Sequence, residues 1–404
     1  TKPSQRNPRG IIALTALILT CLATVPASSG GPTVQDASSP TKALIITGQN
    51  NHNWKVSSAA LKLMLEETGL FKVDLAVSPP AGSDMGNFRP DLASSEVVIL
   101  DYNGAPWPET TRKAFVSYVK NGGGVVVYHA ANNAFPGWLE YNEIIGLGGW
   151  GNRNEKSGPY VFWKDGGVVQ DTRPGIAGSH GAQHAFQVIN RDSSHPITSG
   201  LPSLWMHAQD ELYGLLRGPA KNLHLLATAY SDPRQGGTGR DEPVLFTVTY
   251  GVGRVFQTVL GHAGGDGPQP ALECVGFIVT FQRGAEWAAT GRVTQKIPGD
   301  FPVTDLDLPA PADVRRWPGY RPPSLEPILK DLSSFEYSRD EAVLYRLREY
   351  VLAHLKSPES RAACEDTLAC YLEEPQPNLA AKLAVCRQLR LIGSDRSVPV
   401  LGKM

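Results

Sequence analysis

An α/β fold on a mostly parallel sheet, followed by an α-helical segment, is the architecture this sequence predicts. Apolar, β-branched runs alternate with amphipathic stretches from residue 42 to residue 128. Strands alternating with helices imply right-handed crossovers between parallel neighbours. Residues 122–132, GGGVVVYHAAN, then join a glycine turn to a continuous valine run. That pattern suits a strand covered on both faces. Finally, past a proline-rich stretch, helical texture replaces strand texture from Arg339 onward.

In chain order, 42–47 (KALIIT) reads as the first strand and 48–53 as the loop at its end. Residues 57–68 form an amphipathic helix offering Leu61, Leu63, Met64 and Leu65 to the sheet, and Gly69 stops it. Strands follow at 72–77 and 97–101, a helix at 109–120, and the valine strand 125–127 that ends in His129. Shorter strands at 186–189, 223–229, 243–250 and 254–259 have hairpin-like spacing, with Tyr250-Gly251-Val252-Gly253 as the turn between the last two. One α/β domain is thus expected over 41–295 and a semi-extended, proline-rich linker over 296–330. Amphipathic segments at 342–354, 359–373 and 378–391, with a further helix opening at Ser397-Val398-Pro399, give 331–404 a HEAT-like character. Such units bury their apolar faces only against neighbours, and docking of a protein partner is the expected use of this tail.

The start of the chain addresses location. Arg6 and Arg9 precede an apolar run, 11–25, which small residues follow. This is the order of a secretory signal peptide, expected over 1–27 with cleavage near Val25-Pro26-Ala27 and a linker over 28–40. Export to the periplasm or exterior is the reading; Cys21 offers the lesser alternative of a lipid anchor, and no membrane span is expected. A net charge of −1 gives no reason to expect nucleic acid as a partner. Cys274, Cys364, Cys370 and Cys386 match neither a zinc motif nor a disulfide framework and are expected as buried thiols.

Six motifs in order carry a resemblance: GQNNHNW (48–54), GGGVVVYHAAN, HPITSGLP (195–202), DELY (210–213), YGVGRVFQTVLGH (250–262) and GAEWAATG (284–291). Together they resemble the trehalose-utilisation (ThuA-like) family, itself similar in fold to class I glutamine amidotransferases. The resemblance implies a flavodoxin-like sheet and a role in disaccharide or keto-sugar metabolism. Amidotransferases carry a cysteine on a strained strand–helix turn. The corresponding turn here is Tyr128-His129-Ala130, with no thiol, so acid–base or metal-assisted chemistry remains.

His52, His129 and His262 each follow a strand, and the carboxyl ends of parallel strands open on one crevice. Three readings stay open for this set: acid–base work beside a sugar carbonyl, ligation of a divalent ion with Asp210 or Glu211, and plain binding. His129 and His262 are the candidate bases, with Glu211 and His52 polarising or orienting. No residue is assigned as a metal ligand, and the cofactor is left open. Trp54, Asn53, Asn132, His184, Asp210 and Tyr213 are the candidate substrate-binding residues. Of Asp210 and Glu211, one is expected to cap a helix or satisfy backbone amides and Glu211 to face the cleft. Trp54, Trp107, Trp138, Trp150 and Trp205 sit in or beside loops, where an indole face can stack on a pyranose ring or plug a loop. His180 and His184 stand four apart, yet Gly178 and Gly181 make an ordinary loop there. His195 is expected to fix a turn before a helix. The leading reading is transformation of a keto-sugar by isomerisation, elimination or hydrolysis. The alternative is a non-catalytic sugar-binding module with a docking tail.

Overall fold

Valine and isoleucine runs at the centre of the chain become strands with no exposed residue. In the computed structural model, which describes residues 39–265, 269–298, 301, 325–336, 342–354 and 358–403, β3 (Val97–Leu100) and β4 (Gly124–Tyr128) are buried throughout. They lie in an 11-stranded sheet with β1 (Thr41–Thr47) and β2 (Phe71–Val77) on one side. Helices α1 (Trp54–Glu66) and α2 (Glu109–Lys120) make the crossovers. Asn53 caps α1 by accepting from the Val56 amide. Ala60, Leu61, Met64 and Leu65 are buried on α1, whereas Leu63, expected to face the sheet, is 42% exposed. At 100° per residue it falls off the stripe that 61, 64 and 65 share.

Beyond β4 come α3 (Leu139–Ile145) and the hairpin of β5 (Tyr160–Lys164) and β6 (Gly167–Asp171). Then β7 (His184–Asn190), β8 (Leu204–Asp210), β9 (Leu223–Tyr230), β10 (Asp241–Tyr250) and β11 (Gly253–Thr258) complete the sheet. Its order is β2-β1-β3-β4-β11-β10-β9-β7-β8, with β5 on β10. The steps from β2 to β11 are parallel and those from β11 to β8 antiparallel. The sheet is therefore mixed rather than mostly parallel, because hairpins and short loops replace helical crossovers in its second half. HPITSGLP leads into β8, not into the helix expected after it.

Four antiparallel steps return β8 to the direction of β11, so both strands end at the same rim. The buried helix α5 (Val275–Thr290), preceded by the short α4 (Pro270–Glu273), packs on β3, β4, β11 and β8. Ile297 and Phe301 also join this core, extending it past residue 295.

The helical segment has a core of its own, shared by α6 (Leu325–Leu332), α7 (Ala342–Ala353), α8 (Pro358–Glu373) and α9 (Leu379–Ile392), with α10 (Val398–Leu401) after them. Helix α6 begins inside the stretch expected as linker, since Leu325, Ile328 and Leu332 form one buried stripe. Cys274 and Cys364 are buried, but Cys370 is exposed. The expected signal peptide, nearly all of the 28–40 linker and all of 302–324 lie outside the described residues. Among the described residues no helix is long and apolar enough to cross a membrane.

Candidate active site

The parallel half of the sheet delivers its loops to one rim. His52 lies in the turn after β1, His129 directly follows β4, and His262 comes four residues after β11 ends. His129 adopts φ 43°, a left-handed backbone that costs a non-glycine residue roughly 1–3 kcal/mol. The turn Tyr128-His129-Ala130 is thus strained, and it sets the imidazole at the carboxyl end of β4.

Glu211 arrives from β8. Its neighbour Asp210 is fully buried and ties strand ends together. Asp210 Oδ2 accepts from Gly261 N–H at 2.7 Å, and Oδ1 accepts from Glu211 N–H at 2.7 Å and His262 N–H at 3.1 Å. Gly261 has φ +98°, and a Cβ there would meet the Phe277 and Tyr128 rings. Only glycine lets this backbone approach the carboxylate. Beneath, His207 Nε2 lies 2.7 Å from Asp210 Oδ2. Burial opposes charge on His207, but Cys274 and Asp210 beside it raise its pKa to about 9. For Asp210 too burial works against ionisation, yet His207 holds the carboxyl below its ordinary range.

The four groups meet at Glu211 Oε2. That oxygen lies 3.1 Å from His262 Nδ1, 3.6 Å from His52 Nε2 and 3.8 Å from His129 Nε2. One donor atom from each of the four falls within 4.8 Å of all the others. His52 stands edge-on to both other rings, at 4.7 Å between centroids in each case.

His129 pairs its Nδ1 with Val259 O at 2.6 Å and its Nε2 with Tyr213 O–H at 3.0 Å. A carbonyl partner requires Nδ1–H, which leaves Nε2 as acceptor. Burial, then the charge of His52, lowers the His129 pKa to about 3, so the ring is neutral at pH 7. His262 moves the other way. Burial disfavours its charge, but Glu211 and Asp210 outweigh that and raise its pKa. Burial would raise Glu211, and its imidazole neighbours hold it well below the usual carboxylate range. Burial keeps the Tyr213 phenol protonated.

Above the cluster opens a cleft of about 570 Å³. Asn51, Asn53, Asn103 and Asn133, with Trp150 and His180, form its walls, and among the described residues no lysine or arginine lines it. Tyr213 lines it as well. Asp210 sits underneath, in the amide-binding role expected for one of the two carboxylates. The fully buried Asn132, together with His184 and Trp54, falls outside the lining. His184 turns its Nδ1 to Ala182 O. Trp107, Trp138 and Trp205 are core plugs, and Trp150 alone of the five lines the cleft. His180, read as ordinary loop, is in the wall.

Two supports escaped the sequence reading. Asn50 Oδ1 accepts from the His52 amide at 3.1 Å and lies 3.4 Å from its Nδ1, while Asn50 Nδ2 donates to Asp101 at 3.2 Å. The other is His207. It stands three residues before Asp210 on a strand, a spacing that points side chains apart. A register irregularity between β7 and β8 brings them together.

Comparison with known proteins agrees with this architecture. The family model described as trehalose utilisation (ThuA) matches residues 42–288. A solved ThuA-like protein from Parabacteroides merdae is 53% identical, with a TM-score of 0.66, over 69% of this chain and 98% of that one. Another, from Bacteroides uniformis, matches at 18% identity and a TM-score of 0.43, over 65% of this chain and 97% of that one. No curated protein matches. A family model spanning more than half of the chain, together with a 53% identical relative covered almost end to end, places the chain in the ThuA trehalose-utilisation family.

Proposed function

We propose that this protein transforms an oxidised (3-keto) disaccharide by moving a proton next to the sugar carbonyl. The convergence of three imidazoles and one carboxylate under a cleft with uncharged walls carries this reading. A keto group acidifies the adjacent C–H, so one placed base can drive isomerisation or elimination of the glycosidic oxygen. Of the two histidines expected as base, His262 fits. It lines the cleft and its pKa is raised. His129 is too deeply buried and, at a pKa of about 3, too weak. His262 takes the proton, Glu211 stabilises the imidazolium that forms, and His52, which also lines the cleft, faces the carbonyl side.

The walls fit an unphosphorylated sugar: asparagines meet hydroxyls, and Trp150 offers a stacking face. Those same walls support the second reading, a sugar-binding module without turnover. The experiment is an NMR time course of 3-keto-trehalose with the full chain in D2O. Deuterium entering at C2, slowed by about 10²-fold or more in His262→Asn, is expected. Line broadening on binding, with neither exchange nor product, would leave the module.

Two further parts of the proposal concern placement. The order of basic, apolar and small residues over 1–27 supports export. The helical segment, with its own core, supports a HEAT-like platform that docks a protein partner.

A further inference from the structure

We infer that the cluster is a metal centre: a divalent first-row cation held by His52 Nε2, His129 Nε2 and Glu211 Oε2, with His262 left outside the coordination sphere. The inference shares its residues with the proposed reaction but does not depend on which sugar is used.

Three features of the donors support it. The first is spacing. Glu211 Oε2 is 3.6 Å from His52 Nε2 and 3.8 Å from His129 Nε2. These separations are too long for hydrogen bonds. They are close to the roughly 3.3 Å between ligand atoms around a tetrahedral ion with bonds of about 2.0–2.1 Å. Small rotations of the His52 ring and the Glu211 carboxylate would close the difference.

The second is outer support. Metal-bound histidines almost always commit the other ring nitrogen to a carbonyl, carboxylate or similar partner. His129 commits Nδ1 to Val259 O, and His52 directs Nδ1 to Asn50 Oδ1. Asn50 is itself held by Asp101, and Glu211 Oε1 accepts from Gln183. Each of the three proposed ligands is therefore oriented from behind, with its donor atom turned to a common point.

The third is what sets His262 apart. Its Nδ1 is as near Glu211 Oε2 as a ligand atom would be, 3.1 Å, but among the described residues its Nε2 has no hydrogen-bond partner, so nothing fixes this ring from behind as the other two are fixed. A catalytic site of two histidines and one carboxylate keeps a coordination position open for substrate. With His262 outside, that open position and a free base face the same cleft. The imidazole donors favour zinc, cobalt, iron or nickel over magnesium or calcium. A cation here would polarise a sugar carbonyl. Taking up the His129 Nε2 lone pair would also release the Tyr213 hydroxyl, 3.0 Å away, toward the cleft.

The test uses the full chain, stripped with a chelator, dialysed and titrated with Co2+ and Zn2+ in the absence of sugar. Visible absorption of Co2+ and elemental analysis are the readouts. One equivalent is expected to bind. Glu211→Gln, which keeps the shape of the side chain, and His52→Ala, in a surface turn, should each weaken binding by more than about tenfold. His262→Asn should stay within about threefold of the parent. Circular dichroism of each metal-free variant checks that it folds, and Glu211→Gln keeps the test intact where His52→Ala does not fold. Failure of the parent to bind either ion at about 100 μM would overturn the inference. So would a loss in His262→Asn as deep as that in Glu211→Gln, since the ion would then take all four donors. Turnover of keto-sugar by chelator-stripped protein that also fails to bind added ion would sink the metal centre and spare the proposed reaction; bound metal without any sugar exchange would do the reverse.

Discussion

Asp101 shows how a residue that makes no contact with a ligand shapes this site. It follows β3 directly and is fully buried, accepting from Ser57 Oγ at 2.8 Å and from Thr47 Oγ1 and Asn50 Nδ2 at 3.2 Å. Burial raises its pKa to about 7 against those hydrogen bonds, from an ordinary value near 4. A carboxyl with a raised folded-state pKa stabilises the fold fully below its unfolded pKa. That contribution is lost as pH climbs through the folded value. The loss therefore falls between about pH 4 and pH 7 and amounts to roughly 2–4 kcal/mol. Asp101→Asn removes this titration. Relative to the parent, the variant should be more favoured at pH 8 than at pH 4 by about that amount, read from urea unfolding at both values. A difference independent of pH would show that Asp101 is already ionised in the fold. The sequence displayed Asp101 only as the end of a strand. His129 and His262 were legible because they interrupt apolar runs, whereas Asn50 and Asp101 matter through a loop's path, which no periodicity encodes.

At the scale of elements, legibility followed burial on both faces. Strands β1, β3 and β4 and helix α2 stand out as unbroken apolar runs or clean amphipathic stripes. Strand β8, LWMHAQD, mixes polar and apolar residues, and its register irregularity spoils the alternation that would have betrayed it. Without β8 the sequence could name Glu211 but not explain how it reaches the histidines. The β11–α5 contact shows how closely the site's supports are packed. Gly284 on α5 lies against Phe256 of β11, and a Cβ there would sit 2.1 Å from the ring. Phe256 is fully buried, so the ring has nowhere to retreat. Gly284→Ala should cost about 1–3 kcal/mol by overpacking, measured as a lower urea midpoint with an unchanged slope. A neutral result would mean that α5 can slide on the sheet. Because β11 leads directly to His262, the same variant should also lower activity at temperatures where the parent is unaffected.

On the scale of the whole molecule, two hydrophobic cores share one chain. The helical core runs from Leu325 to Ile392 and has no residue in common with the core of the α/β part. Composition pointed to a change of texture from Arg339, whereas the helical core begins at Leu325, because proline content placed the boundary by what cannot be helix rather than by what packs. The α/β core continues to Ile297 and Phe301, and the Phe301 ring stands 5.6 Å from that of Trp205. Trp205 lies on β8, the strand that delivers Glu211, so the end of this segment braces the site from the far side. A chain cut after residue 301 should unfold at the parent's temperature for its α/β transition and bind Co2+ with the parent's affinity. Cutting after residue 295 instead strips Ile297 and Phe301 from the core. At roughly 1.5–3 kcal/mol for a fully buried side chain, discounted because Ile297 is only partly buried, about 2–4 kcal/mol should be lost. For an α/β unit of this size that lowers the melting temperature by several degrees. Equal melting temperatures for the two truncations would show that residues 296–301 rest on β8 without bracing it. If both truncations melted far below the full chain, the two cores would be one cooperative unit, and the tail would be part of the protein's stability rather than a separable platform.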